Sequence, residues 1–237
     1  MTDSLVILPT YNEKENIERM VRKVFSLPVS FHLLVVDDGS PDGTADIVRR
    51  LMPEFPGRLF LEERRGKLGL GTAYIHGFKW ALSRGYELIF EMDCDFSHNP
   101  DDLLRLRDAC LSGADLAIGS RYVKGGRIRN WPLNRLLMSY FASIYVRMVL
   151  WIGIKDTTAG FKCYRRKVLE TIGLDKVRYV GYAFQIEMKY RTRKSGFRIV
   201  EVPITFIDRQ FGVSKMSGKI FKEGFLGVLQ LRFMKIP

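Results

Sequence analysis

Two carboxylates one residue apart follow an apolar run in the middle of this chain. Asp93 and Asp95 come after residues 86–90, in the stretch EMDCDFSHNP. Residues i and i+2 of an extended chain face the same side, so the two charges would repel and one would tend to stay protonated. A divalent cation removes that cost, and oxygen ligands of this kind suit Mg²⁺ or Mn²⁺, with substrate phosphates completing the coordination. The pair predicts a metal-assisted diphosphate site, and a solvated loop with helix-capping aspartates is the competing interpretation.

A second acidic cluster follows an earlier apolar run in the same way. Residues 37–40 read Asp-Asp-Gly-Ser and come directly after the apolar residues 32–36. A carboxylate at such a position can accept hydrogen bonds from ribose hydroxyls or from a base. The alternative is that the cluster only forms a turn and caps the next helix, since Asp, Gly and Ser are the residues that turns prefer.

These clusters need a scaffold, and the rest of the sequence predicts an α/β fold. Strands are predicted at 4–9, 32–36, 58–61, 86–92 and 115–119, and helices at 12–25, 45–52, 71–84 and 101–111. Strands that alternate with helices favour a mostly parallel sheet with helices on both faces. Ligands bind beyond the carboxyl ends of such strands. Polar clusters begin at four of these ends, at Thr10, Asp37, Asp93 and Gly119.

The charge of the chain is strongly asymmetric. Residues 1–120 carry 14 Lys and Arg against 19 Asp and Glu, whereas residues 121–237 carry 24 against 7. The basic half predicts an anionic partner, which could be a phosphorylated substrate, a nucleic acid or an anionic membrane surface. The aromatic residues lie mostly in apolar runs rather than between Arg and Lys, so a nucleic-acid partner is not expected.

Several other motifs are absent or incomplete. The three cysteines, Cys94, Cys110 and Cys163, are scattered and lack zinc-site spacing, which favours a reducing, cytosolic setting. No secretory signal is expected at the N-terminus, where the apolar run is short and no basic region precedes it. The basic segment RRGKLGLGT at 64–72 lacks the P-loop pattern and the third glycine of the dinucleotide fingerprint, so a P-loop ATPase is rejected.

Two apolar segments in the basic half predict surface helices. Residues 134–152 are apolar and of helical character, but their uncharged stretch covers only the 11 residues 136–146. A membrane-spanning helix needs about 17–25 residues. Residues 219–237 are also apolar with interspersed Lys and Arg. Both segments suit helices that lie in a membrane interface, and packing on the core or on another subunit is the alternative.

Motifs spread over nearly the whole chain resemble one known family, the dolichol-phosphate (polyprenol-phosphate) mannosyltransferases of glycosyltransferase family 2. The motifs are LPTYNEKENI (8–17), VVDDGSPDGTADI (35–47), RRGKLGLGTAYIHGFKWA (64–81), MDCDFSHNPDDL (92–103), IGSRYVKGG (118–126), DTTAGFKCYRR (156–166), GYAFQIEM (181–188) and EVPITFIDRQFGVSKM (201–216).

The resemblance implies one domain of the GT-A type over residues 1–237. Its parts would be a nucleotide-binding half at 1–120, an acceptor-binding half at 121–218 and an amphipathic segment at 219–237. The implied reaction is inverting transfer of mannose from GDP-mannose to a polyprenyl or dolichyl phosphate, with Mg²⁺ or Mn²⁺. Glucose transfer from UDP-glucose is the alternative. The implied location is the cytoplasmic face of a membrane, held by the membrane surface or by a membrane-anchoring subunit.

The resemblance also assigns roles to individual residues. Asp95, Arg121 and Asp156 are the expected catalytic residues, although Asp156 could instead cap a turn. Metal ligands are expected at Asp93, Asp95 and Ser97, and acceptor-phosphate contacts at Arg121 and Arg135. The expected nucleotide-sugar site consists of Pro9, Tyr11, Glu13, Val36, Asp38, Asp93, Cys94, Asp95, Arg121, Arg209 and Lys215.

Two departures from the family pattern affect these expectations. Ser97 stands where some relatives carry a Gln metal ligand, and a neutral hydroxyl is a poorer ligand. Many relatives also continue into transmembrane helices beyond the point where this chain ends, at Pro237. The chain therefore resembles the short members, which are expected to reach their lipid through surface helices or a membrane partner.

Overall fold

A computed structural model describes residues 3–208 and 218–234 of the chain. The strands of this part are β1 (Ser4–Thr10), β2 (His32–Asp37), β3 (Leu59–Glu63), β4 (Leu88–Glu91), β5 (Leu116–Ser120), β6 (Arg127–Arg129), β7 (Lys162–Arg165), β8 (Ile199–Pro203) and β9 (Thr205–Ile207). The α-helices are α1 (Ile17–Phe25), α2 (Thr44–Leu51), α3 (Leu70–Ser83), α4 (Asp102–Leu111), α5 (Leu133–Leu150), α6 (Arg166–Thr171), α7 (Tyr182–Lys194) and α8 (Gly218–Phe233).

Seven strands form the central sheet in the order β3-β2-β1-β4-β7-β5-β8. Four of the six pairings are parallel, and β7 runs antiparallel between β4 and β5. The prediction of a mostly parallel sheet is confirmed. From β1 the chain first builds outward through β2 and β3 and then returns to place β4 on the other side of β1. That reversal of strand order marks the place where such sheets bind ligands.

Helices cover both faces of the sheet because its strands are apolar on both sides. One buried cluster joins the sheet to α1, α2 and α4, and the other joins it to α3, α5, α6, α7 and α8. Every residue of β4 and β5 is buried. A parallel strand enclosed in this way reads as a continuous apolar run, which explains why these strands could be predicted from sequence.

The first helix begins later than the sequence pattern indicates. The predicted helix starts at Asn12, whereas α1 starts at Ile17. Asn12 has a φ of 59°, in the left-handed region, which a helix cannot accommodate. The backbone N–H of Asn12 donates to Ser40 Oγ at 2.9 Å, and that of Glu13 donates to Thr44 Oγ1 at 3.0 Å. The residues before α1 therefore form a turn fixed by the loop after β2.

The two apolar segments of the basic half form α5 and α8, which pack against each other, and α8 also packs on α7. Each helix buries only one side. The buried residues of α5 include Val146 and Leu150, while Leu133, Phe141 and Met148 are 68%, 61% and 62% exposed. Among the helices of the described ranges, none combines the length and apolar character that crossing a bilayer requires.

Candidate active site

A pocket of about 470 Å³ opens at the carboxyl ends of β1, β2, β4 and β5, where the strand order reverses. Ten of the residues that the sequence assigns to a site line it: Pro9, Tyr11, Glu13, Asp38, Asp93, Cys94, Asp95, Ser97, Arg121 and Arg135. Val36 and Asp156 are fully buried and do not line it. Arg209 and Lys215 lie outside the described residues.

The two aspartates after β2 have separate tasks. Asp37 accepts hydrogen bonds from Thr10 Oγ1 at 2.8 Å and from the backbone N–H of Ser40 at 2.8 Å, which is the turn-forming interpretation. Asp38 instead faces the pocket and binds Arg64, whose Nε donates to Asp38 Oδ1 at 2.7 Å. The turn-forming interpretation is thereby confirmed for Asp37, and contact of Asp38 with a nucleotide stays a prediction.

Arg64 ties the basic segment 64–72 to this edge of the pocket. Besides Asp38, its Nη1 donates to Thr72 Oγ1 at 2.8 Å. Lys67 from the same segment places its Nζ 5.0 Å from the centre of the Tyr11 ring. At that distance a cation and an aromatic face attract each other. The segment thus closes one side of the pocket and supplies it with positive charge.

The loop after β4 presents the pair Asp93 and Asp95. Asp95 accepts the backbone N–H of Ser97 at 3.0 Å, and Phe96 between them has a φ of 58°. The backbone N–H of Asp93 donates to Nδ1 of His98 at 3.4 Å. An Nδ1 that accepts belongs to a neutral imidazole, and burial correspondingly lowers the pKa of His98 to about 4.

The residues present fit a divalent cation with oxygen ligands. Ser97 is 2% exposed, and its Oγ has no hydrogen-bond partner among the residues that the structure describes. A buried hydroxyl without a partner is costly unless something else binds it. No group of three His, Cys, Asp or Glu side chains in the described ranges is placed to hold a metal alone. Asp93, Asp95 and Ser97 would therefore share a metal with substrate phosphates, the usual arrangement for Mg²⁺.

Asp156 does not line the pocket, but it binds Arg121, which does. Its Oδ2 accepts the backbone N–H and Nε of Arg121 at 2.9 and 2.7 Å, and its Oδ1 accepts Nη2 at 2.6 Å. Burial alone would raise the pKa of Asp156, but the charge and hydrogen bonds of Arg121 hold this pKa below its ordinary value. The two side chains are 0% and 8% exposed, so they form a buried ion pair at the pocket wall.

Aromatic side chains that the sequence did not single out surround the two arginines. Arg135 lies over the Trp131 ring at 4.2 Å and donates to both carboxylate oxygens of Asp208 at 2.9 and 3.0 Å. Arg121 lies 5.4 Å from Trp131 and 5.5 Å from Phe206. Trp131 follows the basic loop 124–130 directly, and that position was the only available signal.

Other pocket residues also escaped the sequence reasoning. His98 stands in the same loop as the paired aspartates, and Gln185 lies in the GYAFQIEM motif, so sequence position gave a hint for both. Phe206 belongs to β9, where nothing in the local pattern points to a pocket. Arg64 does not line the pocket itself, and the sequence indicates only its basic segment, because its partner Asp38 lies 26 residues away.

The fold and the family match together define a glycosyltransferase of the GT-A type. The sequence profile of glycosyl transferase family 2 matches residues 5–173. The chain belongs to this family, as its motifs indicate.

Two curated relatives are similar over most of the chain. Polyprenol monophosphomannose synthase of Mycolicibacterium smegmatis is 52% identical over 227 residues, which cover 96% of this chain and 86% of that protein. Undecaprenyl-phosphate mannosyltransferase of Micrococcus luteus is 46% identical over 224 residues, covering 94% and 91%. The resemblance to polyprenol-phosphate mannosyltransferases is thereby confirmed.

Solved structures with low sequence identity share the fold. Glucosyl-3-phosphoglycerate synthase from Mycobacterium tuberculosis, in complex with Mn²⁺, UDP and glucosyl-3-phosphoglycerate, superposes with a TM-score of 0.71 at 19% identity, covering 98% of this chain and 80% of that one. A mannosyltransferase from Pyrobaculum calidifontis, in complex with GDP-Man and Mn²⁺, gives a TM-score of 0.63 at 19% identity, covering 99% and 66%. At these identities the comparison confirms the GT-A fold.

Proposed function

We propose that this chain transfers mannose from GDP-mannose to the phosphate of a polyprenyl phosphate, with inversion at the anomeric carbon and with a bound Mg²⁺ or Mn²⁺. The observation that carries this proposal is one pocket lined by two carboxylates, Asp93 and Asp95, and by two arginines, Arg121 and Arg135. Such a pocket suits a reaction in which a diphosphate leaves and a second phosphate attacks.

The sugar and the acceptor in this proposal rest on the curated relatives. Both are named for mannosyl transfer to a polyprenyl phosphate, and they match 96% and 94% of this chain. The GDP donor and the metal rest on three other observations. They come from the family resemblance, from the oxygen donors after β4 and from a structural relative whose complex contains GDP-Man and Mn²⁺.

The chemistry requires little from a general base. The nucleophile is a phosphate monoester, whose second pKa of about 6 leaves it largely ionised at pH 7. One of its oxygens bonds to the anomeric carbon while the bond from that carbon to the diphosphate oxygen breaks, and GDP leaves. We assign Arg121 and Arg135 to the acceptor phosphate, because guanidinium groups bind phosphates in a bidentate manner. The protein thus contributes alignment and charge stabilisation.

On the donor side, we assign Asp93, Asp95 and Ser97 to holding the metal. When bound, the metal would neutralise the diphosphate and make it a better leaving group. Pro9, Tyr11, Glu13 and the backbone near Val36 would contact the base, and Asp38 and Cys94 the nucleoside. Arg209 and Lys215, which lie outside the described residues, remain predicted phosphate contacts.

We further propose that α5 and α8 rest on the surface of a membrane, on its cytoplasmic face. Their outer sides expose apolar residues next to cations, as where Arg232 lies 4.8 Å from the 80%-exposed Trp151. Apolar side chains that insert and cations that meet anionic headgroups are the features of interfacial helices. The three cysteines are free and buried, which agrees with a reducing compartment. A membrane-anchoring subunit remains the other means of attachment.

The same proposal divides the single domain by task. Residues 1–120 would bind the nucleotide, residues 121–218 the acceptor phosphate, and residues 219–237 the membrane. In support, the predicted nucleotide contacts before residue 120 lie at the ends of β1, β2 and β4, whereas Arg121 and Arg135 follow β5.

The test is a transfer assay with purified protein. Radiolabelled GDP-mannose or UDP-glucose is incubated with undecaprenyl phosphate in detergent, with Mn²⁺, with Mg²⁺ or with EDTA, and lipid-linked sugar is extracted. We expect mannosyl lipid from GDP-mannose, and only with metal. Lipid product from UDP-glucose but not from GDP-mannose would overturn the sugar assignment. Absence of lipid product with both donors would overturn the proposed transfer reaction. Calorimetry with GDP and UDP gives an independent measure of base preference.

A further inference from the structure

Two polar side chains project from the buried face of α7 into the protein. Gln185 and Lys189 are 4% and 0% exposed, and they stand four residues apart. Residues at this spacing lie one above the other on the same face of a helix. Buried polar groups are costly unless they bind partners, so the partners of this pair show what the helix holds in place.

Gln185 binds the end of the strand that carries the paired aspartates. Its Nε2 donates to Glu91 Oε2 at 2.9 Å, and its Oε1 accepts a hydrogen bond from Lys162 Nζ. Lys162 Nζ also lies 3.0 Å from Glu91 Oε1, with both side chains fully buried. The three groups close a triangle beside the pocket, which Gln185 itself lines, and Glu91 is only two residues before Asp93.

Lys189 binds a second loop of the pocket, residues 157–159. Its Nζ donates to the carbonyl oxygens of Thr157 at 3.0 Å, Ala159 at 2.7 Å and Gln185 at 3.3 Å. Three carbonyl acceptors match the three N–H bonds of an ammonium group. Residues 157 and 159 follow Asp156, so this one side chain holds the loop that supports Arg121.

The two loops meet beside these side chains. Arg121 is bound to Asp156 and also donates to Thr158 Oγ1 at 2.9 Å, between the two carbonyls that Lys189 holds. A methyl group placed on Gly160 would lie 3.7 Å from Gln185 Nε2 and 3.9 Å from Asp93 Oδ2. One turn of α7 therefore connects the loop with Asp93 to the loop that orients Arg121.

We propose that Gln185 and Lys189 are positioning residues that set the distance between the donor side and the acceptor side of the pocket. The inference rests on the proposed function, in which Asp93 serves the leaving diphosphate and Arg121 the attacking phosphate. Neither side chain takes part in the bond changes. Their effect is to keep the two reacting groups at the separation that in-line displacement needs.

The test compares two buried cations of the same helix. Lys189→Met removes the ammonium that holds the pocket loop. Arg191→Met is the control, because Arg191 is 2% exposed and bonds Glu187 and the carbonyls of Ile172 and Lys176, away from the pocket. For each variant, melting temperature, the stoichiometry and Kd of GDP with Mn²⁺, and kcat and KM for undecaprenyl phosphate are measured. Rates are expressed per GDP-binding site.

We expect Lys189→Met to lose on the order of 10²-fold in kcat/KM for the acceptor per GDP-binding site, with the Kd of GDP unchanged. Arg191→Met should melt at a lower temperature with wild-type kcat/KM per site. The inference is overturned if the two variants show the same kcat/KM per site. If wild-type protein transfers no sugar, the proposed function fails instead, and the two failures are thereby distinguished.

A charge exchange tests Gln185 without depending on the folding of Lys189→Met. Gln185→Glu and Glu91→Gln should each lower acceptor kcat/KM, because each changes the charge around Lys162. The double variant restores one carboxylate, one amide and one ammonium to the triangle, and we expect it to recover most of the lost kcat/KM. A double variant no better than the worse single variant contradicts the positioning role of Gln185.

Discussion

The buried ion pair between Asp156 and Arg121 gives the sharpest prediction about stability. Asp156→Asn keeps the shape of the side chain but removes the charge that opposes the guanidinium. The carboxylate accepts the backbone N–H, Nε and Nη2 of Arg121 at 2.6–2.9 Å, and its side chain is fully buried. An amide can accept only part of this set, and its NH₂ group would face the cation.

The magnitude follows from the burial of both partners. Breaking a buried pair by removing one charge costs about 3–5 kcal/mol, and we take about 3 kcal/mol because Asn retains one acceptor and Arg121 keeps slight exposure. For 237 residues, an unfolding entropy of about 2.1 cal/mol/K per residue gives roughly 0.5 kcal/mol/K. The melting temperature should therefore fall by about 6 °C at pH 7.

The pH dependence has a definite sign. The folded pKa of Asp156 lies below its ordinary value of 3.8, so its charge stabilises the fold fully above that value. This contribution is lost as the pH falls through the lowered folded pKa. The gap in melting temperature between wild type and variant should be full at pH 7 and should narrow below about pH 4.

Thermal unfolding followed by circular dichroism measures the loss of melting temperature and its pH dependence. A double-mutant cycle with Arg121→Gln isolates the interaction energy between Asp156 and Arg121. The double variant should be more stable than the sum of the two single losses implies, since neither charge is left alone. A melting temperature of Asp156→Asn close to that of wild type, or additive losses in the cycle, would refute the reasoning.

Three further predictions concern the metal, the membrane and the packing of α3 against α7. Asp95→Asn should abolish the dependence of GDP binding on Mn²⁺ in calorimetry, and a wild-type response to Mn²⁺ would count against the metal role. Phe141→Gln and Met148→Gln should each weaken binding to anionic vesicles about tenfold in co-sedimentation, with unchanged melting temperature, because both side chains are over 60% exposed. Gly71→Ala should destabilise the fold by about 1–3 kcal/mol in denaturant unfolding, since a Cβ there would lie 2.9 Å from the Phe184 ring. Gly153→Ala is the matched control, as nothing lies within 4 Å of its Cβ position, and equal losses in the two would contradict the packing argument.

The strands that the sequence predicts correctly are those that contain at least three consecutive apolar residues. β7 escaped prediction because it begins with Lys162 and ends with Arg165. The charge of the buried Lys162 is balanced by Glu91, which stands opposite it in the antiparallel register and lies 71 positions away in the chain. A buried charge whose partner is distant in sequence gives no local signal, so no periodicity could reveal this strand.

The candidate site, too, could be predicted from the sequence only in part. Asp93, Asp95 and Arg121 could be placed together from sequence because each follows a strand end, and strand ends of one sheet edge meet. The binding of Asp38 to Arg64, and the burial of Asp156 behind Arg121, could not be placed, since both depend on how loops fold over the pocket.

The proposed nucleotide half and acceptor half of this chain are not separate folding units. β7 belongs to the second half but lies between β4 and β5 of the first half, and α7 packs against this part of the sheet. The buried triangle of Glu91, Lys162 and Gln185 crosses the same boundary. Because strand pairing and these contacts would be lost on separation, residues 1–120 expressed alone should not form the nucleotide site. Their failure to bind GDP would then report the missing β7 and α7, and it would say nothing against the residues that contact the nucleotide.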